Sequence, residues 1–427
     1  MKVLMFGWEF PPHISGGLGT ACYGLTNGMS YLDEVEILFV VPKAFGDEDQ
    51  SKLRLIGAND IQLKKSNPHY QKLLEKIQFL EVNSNIVPYT DPEDFYSQVS
   101  KDKEGKKQYI HTHFSGKLEF TGGYGENLFQ EIANYAVIAS EIAAEYDFDV
   151  IHSHDWLTYP AGMAAKQVSG KPLVVHVHAT DFDRSGGSVN PGVYDMERTG
   201  MHAADKIISV SNLTRNTVIH NYGIDPDKVV TVYNAVDPVV QKENIMVKKG
   251  YDEKVVTFLG RITMQKGPEY FIEVAKKVLQ KMDNVRFVMA GSGDMMVKMI
   301  WHAASLRIMD KFHFTGFLRG DDVYRMFSIT DVYVMPSVSE PFGISPLEAM
   351  QSNVPVIISH QSGVSEILRH AVKVNFWDID AMADAIYGIL NYNALSEMFK
   401  KYGKEEVDDL KWENSARQVR DLYLSVM

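Results

Sequence analysis

Short β-branched runs alternate with longer stretches of helical spacing along this chain, and they do so twice. In the carboxyl half the runs 255–259, 285–289, 312–315, 332–335, 354–358 and 372–374 are predicted strands, and the segments between them begin near Pro268, Asp294, Asp321, Ser345 and Val364. Strands joined by crossovers of that length pair in parallel, and a parallel sheet needs helices over both faces. The amino half repeats the pattern at 2–6, 35–41, 150–153, 173–178, 207–210 and 229–232. A chain of 427 residues also exceeds one core, since single cores stop growing near roughly 250–300 residues. The expected fold is α/β, with two Rossmann-like, doubly wound parallel-sheet domains at 1–240 and 250–411.

Residues of about 43–127 interrupt the first domain with polar and aromatic sequence and are read as an insertion, with strand-like runs at 77–80, 86–87 and 109–114. The loop-rich stretch 235–250 is the expected hinge, and 412–427 has helical spacing at Ala416, Val419, Leu422 and Tyr423. Ligands of doubly wound sheets bind beyond the carboxyl ends of the strands, so two such domains facing each other would enclose a cleft.

Charge removes one class of function. With 43 Lys plus Arg against 55 Asp plus Glu the net charge is −12, the wrong sign for a nucleic-acid partner. The opening MKVLMF run stops too early for a signal peptide, and no apolar stretch approaches the roughly 20 residues that span hydrocarbon. Cys22 is the single cysteine and forms no intramolecular disulfide, which suits a reducing compartment. The expectation is a soluble, cytoplasmic protein with no integral membrane segment.

Candidate chemistry gathers in a few stretches. In VYVMPSVSEPFGISPLEAM (332–350) a strand ends at Pro336, Glu340 precedes a Pro-Phe-Gly bend, and a helix opens at Ser345. Ser345 as cap, Pro346 in the first position and Glu348 in the third spell a capping box. A box leaves Glu340 unexplained, and free amides at a helix start also attract anions, so a phosphate site is the second reading. In LGRITMQKG (259–267), Arg261 leaves a strand and Lys266 precedes the next helix. Arg offers phosphate a two-pronged donor and Lys a point charge. Alone they read equally as solvated cations; on one rim with Ser345 they would neutralise a diphosphate without a metal.

The run FPPHISGGLG (10–19) leads from the first strand into an apolar helix. Gly16 and Gly17 would let backbone approach a phosphate or sugar, although a plain loop reads the same way. The spacing is not that of the dinucleotide fingerprint, whose third glycine would fall at Cys22. Three His-x-His pairs, His111/His113, His152/His154 and His176/His178, place both rings of each pair on one strand face. Each could chelate a metal, but no HExxH and no carboxylate cluster accompanies them, and strand-end histidines also serve as buried structure. Asp155 and Trp156, like Asp181 and Asp183, stand where hydrogen bonds and ring stacking would hold a sugar, or where they cap helices.

Together these stretches resemble the retaining nucleotide-sugar glycosyltransferases of the GT-B fold, and among them the bacterial and archaeal glycogen synthases. The resemblance covers most of 1–40 and 130–427. Its most specific part is the Glu-x7-Glu motif, Glu340 to Glu348, supported by GRITMQKG, HSHDWLTYPAG, VVHVHATDF and SGGLG. It implies a hexosyltransferase that moves glucose, from ADP-glucose or UDP-glucose, onto a glycan acceptor, elongating an α-1,4-glucan with retention of configuration. No metal or other cofactor is implied.

The resemblance also implies roles by position. Arg261 and Lys266 would bind the donor diphosphate, and Glu340 would hold the sugar hydroxyls with the amides of Phe342, Gly343 and Ile344. Ser345, Pro346 and Leu347 would present the helix start to the phosphate, and Glu348 would bind the ribose. His178 would contact the transferred sugar, Gly16 and Gly17 would approach the phosphates, and the backbone around Gly316 and Phe317 would meet the base. His154, Asp155 and Trp156 are acceptor-binding candidates. The last helix, 412–427, would return to the amino domain. Two positions depart from the glycogen synthase pattern: Ile14 stands where Lys precedes the paired glycines, and the Asn-Gly-Val-Asp segment reads Asn234, Ala235, Val236, Asp237. The same fold serves small-sugar, lipid-linked and surface-polysaccharide acceptors. Readings of other classes are a zinc-retaining metallohydrolase and a sugar-nucleotide sensor without turnover.

Overall fold

The computed structural model describes residues 1–14, 16–62, 117–237, 247, 249–250 and 252–427. Their contacts form two units, one of Met1–Asp181, Ser188–Asn234 and Trp412–Met427, the other of Phe182–Gly187 and Ala235–Lys411. No helix among the described residues is long and apolar enough to cross a membrane.

The first unit holds β1 (Lys2–Phe6), β2 (Glu36–Val41), β3 (Arg54–Gly57), β4 (Val150–His154), β5 (Leu173–Val177), β6 (Lys206–Ser209) and β7 (Val229–Thr231). They pair in parallel in the order β3-β2-β1-β4-β5-β6-β7. The second holds β8 (Lys254–Leu259), β9 (Val285–Ala290), β10 (Phe312–Gly316), β11 (Val332–Met335), β12 (Val356–Ser359) and β13 (Val372–Val374), ordered β10-β9-β8-β11-β12-β13. Both sheets are doubly wound. The order reverses between β1 and β4 in one and between β8 and β11 in the other, and such switch points open a crevice at the strand ends.

The strands were legible because helices cover both faces, so each reads as a nearly unbroken apolar run. Helix Pro268–Leu279 shows how the layers are made. Proline in its first turn needs no amide partner, Glu269 at its start and Lys276 and Lys277 at its end complement the helix dipole, and Phe271, Ile272, Val274, Ala275 and Val278 are buried. Phe271 packs edge-on to Phe287 and Phe312, with ring centroids 5.9 and 6.1 Å away.

Three expectations change. β3 lies inside the stretch read as an insertion; RLIG is only four residues long with an exposed Arg, too short to stand out as a run. The segment from Val364 forms a single turn of 3-10 helix, Gly363–Glu366, before β13. β5 ends at Val177, which leaves His178 as the first residue beyond the strand. The runs 77–80, 86–87 and 109–114, the His111/His113 pair and most of the expected hinge lie outside the described residues.

Within the first unit, helix Trp412–Leu424 packs on helix Gly17–Met29 through Gly24 and Gly28. A Cβ on Gly24 would sit 2.1 Å from the Trp412 indole. Gly24→Val should therefore destabilise this unit by about 1–3 kcal/mol through overpacking, and Trp412→Ala by about 3–5 kcal/mol through the cavity left behind. Denaturant unfolding measures both, and unchanged midpoints would show that the terminal helix is not part of the cooperative core.

Candidate functional site

In the second unit the chain leaves β8 and β11, neighbours at the reversal point, through two adjoining loops. The first carries Arg261 and the turn Met264–Lys266; the second carries Ser337 to Gly343. Gly267 closes the turn at φ +67, and a Cβ there would fall 2.1 Å from the Pro336 carbonyl, so the loops touch where no side chain fits. Arg261 Nη2 donates to Gln265 Oε1 at 3.3 Å, and the Gln265 carbonyl accepts the Val338 amide at 2.9 Å. One buried glutamine thus ties the cationic turn to the glutamate loop.

Glu340 is buried and forms an ion pair with Lys266, with the Ser337 hydroxyl 3.4 Å from the same carboxylate oxygen. Its backbone is pinned as well: the amide donates to Gln361 at 2.9 Å and the carbonyl accepts from Gly363 at 2.8 Å. Arg261 and Lys266, predicted from one motif, and Glu340, predicted from another, stand on adjoining loops.

Helix Ser345–Gln351 follows the Gly343 bend at φ +98. The capping box is not formed. Ile344 is the cap residue, Ser345 and Pro346 occupy the first two helical positions, and no side chain caps the helix. The Ser345 side chain instead lies near the Tyr333 phenol, whose hydroxyl donates to the Leu259 carbonyl at 3.3 Å. The backbone amides of Gly343, Ile344 and Ser345 have no acceptor among the described residues. Phe342 and Leu347 are buried, and the Leu347 amide is already bonded to Ile344.

Glu348 is partly buried, and its carboxylate has no hydrogen-bond donor among the described residues. Burial, and then the nearby charge of Asp237, push it up to about 7. Burial and the charges of Glu348, Asp237 and Asp321 push the Tyr324 phenol up to about 12. Gly316 ends β10 and Phe317 follows it, on the far side of β9 from this cluster; the Gly316 carbonyl accepts the Gly291 amide at 2.8 Å, and Phe317 is exposed beneath the Arg319 guanidinium.

In the first unit, Gly16 caps helix Gly17–Met29 in an extended conformation, and a Cβ on Gly16 or Gly17 would meet nothing within 4 Å. His178, just past β5, is held twice. Its amide donates to Asp155 Oδ1 at 2.7 Å, and its Nε2 lies 2.9 Å from His154 Nδ1. Asp155 adopts φ 60, a left-handed conformation, and also accepts the Ala179 amide at 3.3 Å. His154, Asp155 and Trp156, the acceptor-binding candidates, are all buried. The Trp156 ring packs against Phe129 and offers no open face.

The histidine pairs do converge. Cys22, His154 and His178 form one set, and His152, His154 and His176 another, with potential ligand atoms within 4.8 Å in each. The arrangement fits a metal poorly. His152 and His176 lie 8° from parallel with centroids 5.4 Å apart, and His154 and His176 sit side by side on paired strands, 28° apart at 5.3 Å. Rings stacked in this way send their lone pairs alongside one another, whereas a tetrahedral ion needs them to meet. Burial, with the charges of Asp155 and Glu9, also holds the Cys22 thiol up, away from the thiolate a metal requires. Burial lowers His152 and His178 to about 3 and His154 and His176 well below the usual imidazole range, so all four rings are neutral.

Comparison with known proteins agrees with this architecture. Residues 241–406 match the family model for glycosyl transferases group 1, and residues 102–240 match that for glycosyltransferase family 4. An uncharacterized glycosyltransferase of Methanocaldococcus jannaschii is 28% identical over 446 residues, covering 100% of this chain and 99% of its own. A glycogen synthase of Mycobacterium tuberculosis is 21% identical over 437 residues, covering 100% and 95%. Among solved structures, sucrose-phosphate synthase from Thermosynechococcus elongatus superposes with a TM-score of 0.71 at 17% identity, over 99% of this chain and 98% of that one. The Anabaena protein HepE in complex with UDP-glucose gives 0.65 at 15% identity over 100% of both chains.

The raised Glu348 carboxyl predicts a pH dependence of stability. Between about 4.5, its ordinary value, and about 7, the folded chain retains a proton that the unfolded chain has released. Its contribution is therefore fully present below the lower value and lost as pH rises through the upper one. Glu348→Gln should remove that loss, gaining on the order of 1–3 kcal/mol over wild type at about pH 8 relative to about pH 4.5. Urea unfolding at both pH values tests this, and an equal effect at each would refute it.

Proposed function

Because the chain belongs to the glycosyltransferases of the GT-B fold, we propose that it transfers a hexosyl group from a nucleoside diphosphate sugar to a glycan with retention of configuration, acting in the cytoplasm. Glucose from ADP-glucose or UDP-glucose is the proposed donor group, and elongation of an α-1,4-glucan the proposed reaction. The observation that carries this reading is the Lys266–Glu340 pair with Arg261 braced beside it by Gln265, at the reversal point of the second sheet.

In this proposal the diphosphate takes Lys266 and Arg261, and the sugar hydroxyls donate to Glu340 in place of the lysine. The amides of Gly343, Ile344 and Ser345 supply further donors, and Glu348, ionised above about pH 7, accepts from the ribose hydroxyls. Gly16 and Gly17 admit the phosphates closely, the backbone at Gly316 and Phe317 meets the base, and His178 contacts the transferred sugar. As the sugar–oxygen bond breaks, negative charge grows on the departing diphosphate and the sugar becomes oxocarbenium-like. Preorganised cations stabilise that charge more than they stabilise the intact donor. The acceptor hydroxyl attacks from the face the diphosphate leaves, and a leaving phosphate oxygen takes its proton, so retention needs neither a carboxylate nucleophile nor a metal.

The names of relatives support a sugar donor and divide on the acceptor, among them glycogen synthase and alpha-maltose-1-phosphate synthase. Ile14 favours a second reading, a different acceptor on the same machinery. It packs against the helix start, where a Cβ on Gly19 would lie 2.4 Å from its Cγ2, and brings no charge to the paired glycines.

Lys266→Ala or Arg261→Ala should lower kcat by about 10²–10³-fold, as loss of a single charge-stabilising donor does. Radiolabelled ADP-glucose and UDP-glucose, offered with glycogen or maltooligosaccharide and paired with calorimetry, provide the test. Donor binding without transfer to any glycan would favour a sensor, and binding of neither donor would redirect the reading to another sugar.

A further inference from the structure

His178 enters the proposed reaction through a hydrogen bond to a sugar hydroxyl, and its ring can offer that hydroxyl either an N–H or a lone pair. Its neighbours decide between them. Nε2 of His178 faces Nδ1 of His154 at 2.9 Å, and one proton occupies that line. Both rings are neutral, so each carries a single N–H.

Two arrangements satisfy the bond. If His178 donates, His154 accepts at Nδ1 and must carry its own proton on Nε2. That atom is buried with no partner among the described residues, so this arrangement strands an N–H in the core. If His154 donates, its Nε2 keeps only a lone pair. Orphaned buried N–H groups are rarer in folded proteins than under-satisfied acceptors, which ranks the second arrangement lower in energy.

The surrounding rings sharpen the choice. Among the described residues His176 has no partner at either nitrogen, so it strands one N–H whichever way it is protonated, and the first arrangement would add a second in the same pocket. His152 gives no relief. Its Nδ1 is engaged by the Tyr423 hydroxyl at 2.5 Å, its Nε2 is also without a partner among the described residues, and its ring lies 4.3 Å from that of His154, between centroids.

We infer that His154 is a positioning residue that donates from Nδ1 to His178 Nε2, and so fixes His178 as the Nδ1–H tautomer that presents a hydrogen-bond donor to the transferred sugar. Asp155 fixes the backbone of the same residue while His154 fixes its ring. Successive residues at the end of β4 thus set both the place and the polarity of a group at the end of β5. The His178 contact belongs to the function proposed above; the tautomer assignment rests on the geometry and neutrality of the rings within the first unit.

Long-range proton–nitrogen correlation of the full chain, labelled in its histidine rings, reads the tautomer directly, with His178 assigned by the signal missing from His178→Gln. Wild type should show His178 protonated at Nδ1 and bare at Nε2. His154→Phe keeps a planar ring but removes the donor; it should move His178 toward Nε2–H and lower kcat about 10–100-fold, the usual cost of losing an orienting partner. Donor affinity by calorimetry should stay unchanged. His154→Asn, with an amide N–H in the place of Nδ1–H, should restore the tautomer and most of the rate. A wild-type His178 protonated at Nε2 overturns the inference without any variant, as does an unchanged tautomer in His154→Phe. An Nδ1–H signal in a chain that transfers no sugar upholds the tautomer and overturns the proposed function.

Discussion

Glu340 is a carboxylate buried at the end of a strand, and such a charge survives only with a partner, because removal from water costs several kcal/mol unless other groups repay it. Lys266 is that partner, 74 residues away in the chain. The two meet because β8 and β11 pair side by side where the order of the sheet reverses. Gln265 and Gly267 make the meeting specific: the one bridges the loops and the other lets them touch. A pair of this kind suits a site that must receive an anion and a polyol together, since either half can be re-partnered without leaving a bare charge.

The first sheet applies the same topology to different chemistry. Its reversal lies between β1 and β4. The chain after β1 leads to the paired glycines, the end of β4 supplies His154 and Asp155, and β5 delivers His178. What gathers here is mainly imidazole whose charge burial suppresses, held by the Asp155 carboxylate, beside a helix that opens on Gly16 and Gly17. One sheet edge concentrates fixed charge and the other concentrates directional hydrogen bonds.

Much of this was legible in the sequence, for a physical reason. Strands covered on both faces read as apolar runs, and residues just past them fall on the carboxyl edge whatever the rest of the chain does, so Arg261, Lys266, Glu340 and His178 could be placed before the sheets were seen. Features set by distant partners could not. Nothing around Asp237 announces that it raises Glu348, nothing in QKG shows that Gln265 braces Arg261, and Tyr423 reads as one more apolar position of a helix although its hydroxyl meets His152. Local patterns also misled. Ser-Pro-Leu-Glu spells a capping box, yet the Gly343 bend starts the helix one residue off that register, and Trp156 reads as a sugar platform although its ring is packed in the core.

The buried histidines show why a motif alone could not decide their role. Two His-x-His pairs on paired strands suggest chelation, but neighbouring parallel strands set side chains in register, and in-register rings stack. Stacked neutral imidazoles create a problem of their own, because each must keep one N–H and the core offers few acceptors. Tyr423 engages His152, and the helix that carries it is seated by Gly24 and Gly28 against Trp412. His178 alone of the four is only partly buried, so a proton placed on its outward nitrogen costs less than one stranded among the fully buried rings. The need to keep an N–H out of a crowded apolar pocket is thereby turned into a donor at the edge of the sheet.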